Sequence, residues 1–286
     1  EKLYLTAADY YGEGKRGKKL SPFIYESLGE RIADSGERIG KEEQLSFLDY
    51  KPNEANLSAI TNTLSPKIDY LSYSQIETFK TCPLHYKLRY IYKVPTPQTA
   101  SQSFGTTMHA TLKEFYETIM SEPHFAKASR GDLEKLILSL LDGNWISEGY
   151  LDKSQRVKFL EKGKDYLRGF LKEEFNPKVK TVALELPFTA PLRSVSRRGV
   201  VPLRIGGRLD RVDLLPGGVI EIVDYKTGAT IPSQKEVDNN LQLSFYAIAA
   251  TSMHEPPFNK TPDRVKLSLY YLDSQEKITT KRTKEE

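Results

Sequence analysis

Residues Arg204 to Gly228 read RIGGRLDRVDLLPGGVIEIVDYKTG, and this stretch decides how the chain folds around its chemistry. Leu203–Leu215 and Val219–Tyr225 are apolar runs of strand character, and the LPGG between them is a turn signal. Paired as a hairpin, the two runs bring residues fourteen apart, Asp210 and Asp224, face to face across the ladder. Side chains alternate along a strand, so Asp224 and Lys226 share one face. Two carboxylates and an ammonium then converge where the flanking apolar residues leave little water. This is a site for a hard cation such as Mg²⁺ with a charged partner beside it, as a metal-dependent phosphodiesterase needs. A surface hairpin with scattered charges fits the same residues, and the motif alone leaves both readings open.

The neighbouring residues sharpen the choice. Gly206 and Gly207 inside a strand permit a bulge or a close backbone approach just before Asp210. Asp213, three residues on, faces away from Asp210. Asp224 directly follows VIEIV, so its carboxylate is either paired or binding a cation. Lys226 is its natural pair, and a plain buried ion pair is the alternative. The Tyr225 main-chain carbonyl is a suitable extra oxygen ligand.

On a predicted helix over Gly105–Met120, the apolar residues Met108, Leu112, Phe115 and Ile119 are spaced 4, 3 and 4. His109 stands at the edge of that stripe, where a satisfied boundary histidine is commoner than a ligand. Gln242 and Tyr246 share a face of a later helix, suited to phosphate or base contacts or simply to solvent.

Working outward, Ser72 followed by Gln75 is a capping-box pattern that opens a helix bearing Ile76 and Phe79. Cys82-Pro83 interrupts it, and Leu84, Leu88 and Ile91 continue on a second piece. Helical stretches follow around Leu133–Ile146 and Val157–Phe175. From Thr181 the pattern turns to strands: TVALELPF, the hairpin, then Val265–Leu272, with one helix at about Gln234–Thr251. A helical N-terminal half followed by strands predicts an α/β domain, a central mixed sheet flanked by helices. Residues 41–67 are polar, broken by Pro52 and Pro66, and read as a linker.

Bulk composition sets limits. Of the 286 residues, 38% are hydrophobic and 28% charged, which suits a globular chain with a sizeable core. No apolar run approaches the roughly 20 residues of a membrane span, and no signal peptide is present, so no membrane partner and a cytoplasmic location are expected. A net charge of +4 permits a nucleic-acid partner without arguing for one. The chain starts with Glu and ends in KRTKEE, which suggests a piece of something longer.

Taken in order, GTTMHATLKEFY, GGRLDRVD, EIVDYKTG and NLQLSFYAIA resemble the RecB-like branch of the PD-(D/E)XK nucleases, and LSYSQIETFKTCPLHYKLRYI resembles the opening segment of those domains. The likeness covers about residues 68–275. It implies a restriction-endonuclease-like core over 68–286 and a Mg²⁺-dependent deoxyribonuclease, with Mn²⁺ as a substitute cation. Carried onto this sequence, it makes His109, Asp210 and Asp224 metal ligands, joined by the Tyr225 carbonyl. Lys226 becomes the catalytic lysine, which orients or deprotonates water or stabilises developing charge. Gln242 and Tyr246 become a supporting, DNA-contacting helix pair.

Residues 3–28, LYLTAADYYGEGKRGKKLSPFIYESL, are similar to the C-terminal end of UvrD/Rep-type helicase cores. Residues 1–40 are therefore expected to be a remnant of a motor domain, and the partners to be DNA ends or single strands together with that motor. The alternative is a weakly active or inactive nuclease-like module serving a helicase by binding DNA.

Many relatives hold an iron–sulfur cluster on four cysteines, whereas Cys82 is the sole cysteine here. The purified protein should be colourless and free of iron by elemental analysis. A brown preparation with stoichiometric iron would contradict this reading.

Overall fold

The computed structural model describes residues 69–122, 125, 128–196 and 199–283, all within the unit Pro66–Glu286. The expected motor remnant at 1–40 and linker at 41–67 lie outside the described residues. Strand β1 (Leu71–Ser72) runs straight into helix α1 (Tyr73–Thr81), and the capping box at the junction forms. Ser72 Oγ accepts the Gln75 N–H at 3.2 Å, and Gln75 Oε1 accepts the Ser72 N–H at 2.9 Å. Thr81 ends α1 because Cys82 turns extended ahead of Pro83, which opens α2 (Pro83–Tyr86) at its first position. A single π-helical turn, Lys87–Ile91, follows.

Three long helices come next: α3 (Ala100–Ser121), α4 (Arg130–Gly143) and α5 (Lys153–Glu173). The α3 stripe is buried as its spacing requires, with Met108, Leu112 and Phe115 fully out of solvent. Among the described residues, no helix is long and apolar enough to cross a membrane.

Strands β2 (Lys180–Ser196) and β3 (Gly199–Leu214) are both longer than their apolar patterns suggested. They form one antiparallel ladder from Lys180↔Leu214 to Ser196↔Gly199. Strand β4 (Ile220–Lys226) follows a turn in which Gly217 and Gly218 take φ of 77° and 76°, a region glycine enters without strain. The helix expected over Gln234–Thr251 is two, α6 (Gln234–Asp238) and α7 (Leu241–Ser252). The break falls at Asn240, whose side chain accepts the Leu243 N–H at 3.0 Å and caps α7 anew. Strand β5 (Val265–Tyr271) runs parallel to β4, and β6 (Glu276–Thr280), which the sequence pattern did not show, pairs antiparallel with β5.

The result is a six-stranded mixed sheet. Because β2 covers one edge of β3 throughout, β1 and β4 must share the other edge. Strand β1 pairs there at Ile205 and Gly206, and β4 at Arg211 to Leu214. Gly207 to Asp210 are left between them without a strand partner on that edge. Gly206 has its own reason to be glycine, since a Cβ there would lie 2.5 Å from the Tyr70 ring.

Alternating residues of β4 and β5 feed two cores. Ile220, Ile222, Leu267 and Leu269 pack with α7 on one face, whereas Val223, Tyr225 and Tyr270 pack with α3, α4 and α5 on the other. The second face also buries a charge. Arg211, 2% exposed, donates to the hydroxyls of Tyr116 and Tyr225, both at 2.6 Å. It also pairs with Glu174 at 2.6 Å and Asp213 at 3.0 Å. Asp213 thus faces away from Asp210, as alternation requires, and Tyr225 is pinned by its ring.

Removing one member of such a network leaves buried carboxylates uncompensated, which typically costs about 3–5 kcal/mol. Arg211→Met should therefore lower the unfolding free energy by about that much, read from urea denaturation. A loss below about 1 kcal/mol would mean that the network is not energetically coupled.

Candidate active site

Asp210 stands where the β3–β4 ladder stops. Arg211↔Val223 is the last pair, and one further step of that register sets Asp210 opposite Asp224, the juxtaposition that the fourteen-residue spacing predicted. There the strands part, and the Tyr225 N–H donates to Asp210 Oδ2 at 2.8 Å instead of to a main-chain carbonyl. From α3, His109 reaches the same point. Its Nε2 lies 3.1 Å from the Tyr225 carbonyl oxygen, and its Nδ1 3.4 Å from Asp210 Oδ2.

A further carboxylate joins them that the sequence reading did not single out. Glu185 lies on β2 between the paired residues Leu184↔Arg211 and Leu186↔Leu209, so the register sets it opposite Asp210. Its Oε1 is 3.5 Å from His109 Nδ1. Glu185 has φ of 44°, a left-handed conformation costing a non-glycine residue about 1–2 kcal/mol, and such strain gathers at functional sites. The only sequence signal was an acidic residue in the apolar run TVALELPF. The ligating atoms of His109, Glu185 and Asp210 all lie within 4.8 Å of one another.

Asp224 is held from the α7 side. Its Oδ1 accepts Gln242 Nε2 at 2.9 Å and the Tyr246 hydroxyl at 2.7 Å. Lys226 donates to Gln242 Oε1 at 2.8 Å and brings its Nζ within 2.6 Å of Asp224 Oδ2. That ion contact lacks hydrogen-bond alignment, so Oδ2 is a buried carboxylate oxygen with no aligned donor. Gln242 and Tyr246 therefore direct their polar atoms at Asp224 and Lys226. With Ser72, Tyr73 and Ser74 at the start of α1, the predicted residues line one cleft of about 260 Å³.

The electrostatics follow from the crowding. Burial, and then repulsion from Asp224, push Asp210 above the usual carboxylate range, with His109 opposing. Burial by itself would depress His109, but its bonds to Asp210 and Glu185 and the charge of Asp224 outweigh that and raise it to about 10. Lys226 is likewise raised, the neighbouring charge and contact of Asp224 outweighing burial. Burial and the charges of Asp224 and Asp210 raise Tyr246 far above its ordinary value, which keeps it a phenol donor.

Imidazolium and ammonium thus offset the carboxylates when no cation is bound. The hard oxygens of Glu185 and Asp210 plus one imidazole are a donor set that suits a divalent cation.

Comparison with known proteins shows the family to which the fold belongs. The sequence profile of the PD-(D/E)XK nuclease superfamily matches residues 70–286. A subunit of an ATP-dependent helicase/deoxyribonuclease from Carboxydothermus hydrogenoformans is 26% identical over 214 residues, 65% of this chain and 19% of that protein. Its namesake from Geobacillus thermodenitrificans is 24% identical over 257 residues, 81% of this chain and 21% of the relative. The exonuclease/helicase component RexB from Lactococcus lactis subsp. cremoris is 25% identical over 182 residues, 62% of this chain and 16% of its own length. The chain spans about a fifth of the length of these curated relatives.

A cation entering this site must displace the His109 proton. Apparent affinity for a divalent cation should rise with pH up to about 10, where the free site loses the His109 proton without help. Calorimetry in buffers of differing ionisation enthalpy should show about one proton released per ion. In EDTA the sign reverses: the stabilisation from charged His109 is complete below about pH 6.5 and is lost as pH rises through about 10. His109→Asn should remove both effects. Parental pH dependence in that variant would separate His109 from the cation.

Proposed function

Because the chain belongs to the PD-(D/E)XK nuclease superfamily, we propose that it is a divalent-cation-dependent deoxyribonuclease, the nuclease part of a DNA-repair helicase–nuclease. The observation that carries this reading is the convergence of His109, Glu185 and Asp210 within 4.8 Å, beside the Asp224–Lys226 pair. The relatives' names, which pair helicase with deoxyribonuclease or exonuclease, support a DNA substrate and a helicase motor as partner.

His109, Glu185, Asp210 and the Tyr225 carbonyl would hold the cation, with Asp224, paired to Lys226, beside it. When bound, a cation such as Mg²⁺ or Mn²⁺ polarises the phosphate and acidifies a water molecule. Lys226 is kept as an ammonium by Asp224, so at neutral pH it is no base. It suits donation to a phosphate oxygen and stabilisation of charge on the leaving group. Gln242 and Tyr246 fix the Asp224 carboxylate and the Lys226 head, holding both in place as charge develops. An inactive accessory module, the other reading the sequence left open, is disfavoured because His109, Asp210, Asp224 and Lys226 all line one cleft.

Incubation of the 286-residue chain with end-labelled single- and double-stranded DNA tests the proposal. Cleavage should appear with Mg²⁺ or Mn²⁺ and vanish in EDTA. Asp224→Ala and Lys226→Ala should each lower the rate by about 100-fold or more, with the fold retained by circular dichroism. Cutting at the parental rate by either folded variant would overturn the assignment.

A further inference from the structure

The stretch that leads away from Ser72 at the edge of the cleft has an unusual surface. Helices α1 and α2 and the π-helical turn contain no buried residue. Large apolar side chains stand in solvent there, with Phe79 54% and Tyr92 44% exposed. Tyr73 and Ile76 of α1 pack partly against the core, but from Phe79 onward the apolar side chains are left open, a surface available for something else.

Two further features say what that something is. From Thr78 to Thr99 the chain carries Lys80, Lys87, Arg89 and Lys93 and no Asp or Glu, a local charge of +4 that equals the net charge of all 286 residues. Lys80 pairs with Glu77 at 3.2 Å, whereas Lys87, Arg89 and Lys93 enter none of the ion pairs found among the described residues. The cations are interleaved with rings. Phe79 and Tyr86 meet edge to face at 5.5 Å, and Tyr86 and Tyr90 lie 5.3 Å apart. Lys87 sits 5.3 Å over the Tyr92 ring, and Arg89 5.5 Å from that of Tyr90.

A protein partner of ordinary composition would match the aliphatic residues here but not a run of cations without a carboxylate. Bases that stack on rings, joined by phosphates that pair with Lys and Arg, match both. The segment also starts at the chemistry, since Ser72, Tyr73 and Ser74, at and just before the start of α1, line the cleft that holds Asp210, Asp224 and Lys226.

We propose that the aromatic and basic surface of α1, α2 and the π-turn, centred on Phe79, Lys87, Arg89 and Tyr92, is a track for single-stranded nucleic acid passing to or from the cleft. Phosphates lie against Lys87, Arg89 and Lys93, and bases stack on the exposed rings. As the strand's destination, this rests on the nuclease reading of the cleft.

The test uses the full chain and a fluorescent oligothymidylate of about 20 nucleotides, a length ample for the roughly 4–16 that a single-strand-binding fold covers. Binding is followed by anisotropy in EDTA across a salt series, and Mg²⁺-dependent cleavage is assayed on the same preparations. Phe79→Ala or Tyr92→Ala should weaken binding about tenfold. Lys87→Gln with Arg89→Gln should lower the slope of log affinity against log salt by about 1.4, two phosphates' worth on a single strand. A control pair on other helices, Lys135→Gln with Lys158→Gln, should leave the slope unchanged.

Parental affinity and slope in the Phe79, Tyr92 and Lys87/Arg89 variants would overturn the proposal, as would failure of the parent to bind at low salt. An equal effect from the control pair would do the same. Tight, variant-sensitive binding without metal-dependent cleavage would keep the track and sink the nuclease reading. Cleavage with variant-insensitive binding would do the reverse.

Discussion

One unmet main-chain donor organises this molecule. Strands β3 and β4 part after Arg211↔Val223, and the Tyr225 N–H loses the ladder partner that would otherwise satisfy it. A buried amide must find an acceptor, and Asp210 supplies one at 2.8 Å. The carboxylate is thereby drawn into the gap between strands, with little water and with Asp224 one register step across. The two cations at the site, His109 and Lys226, answer the crowding of carboxylates that this placement creates.

The groups around Asp210 come from different layers. From α3, His109 brings a positive charge to Asp210 and a hydrogen bond to the Tyr225 carbonyl. From β2, Glu185 adds negative charge beside the imidazole, at the cost of a strained backbone. On the opposite face α7 clamps Asp224 with Gln242 and Tyr246, while Lys226 folds back onto the same carboxylate. Behind the sheet, Arg211 holds the Tyr225 ring, so the main-chain atoms of Tyr225 that face Asp210 and His109 have little freedom to drift. The geometry of the cleft and the stability of the buried network therefore meet in one residue, Tyr225, through opposite ends of it.

Charge balance governs the carboxylate cluster. Carboxylates this close would repel strongly in a dry cleft. Protonated His109 and Lys226 offset them, each held in its charged form by the carboxylates beside it.

Much of this was legible in the sequence because the deciding signals are local. The Pro-Gly-Gly turn and the alternation in its flanks set Asp210 opposite Asp224 and Lys226 on the face of Asp224. The Ser72/Gln75 box and Cys82-Pro83 marked a helix start and stop, and the stripe of α3 placed His109. The sequence by itself thus determined the hairpin, the helix bounded by those signals and the residue types able to hold a cation. Only the tertiary structure decided that Glu185 joins them, because its place opposite Asp210 depends on the β2–β3 register, a pairing of residues 25 apart in sequence. It likewise decided that Arg211 is a buried anchor, since its partners Tyr116, Glu174 and Tyr225 come from three separate elements. Register and burial are properties of elements packed together, and no single segment carries them.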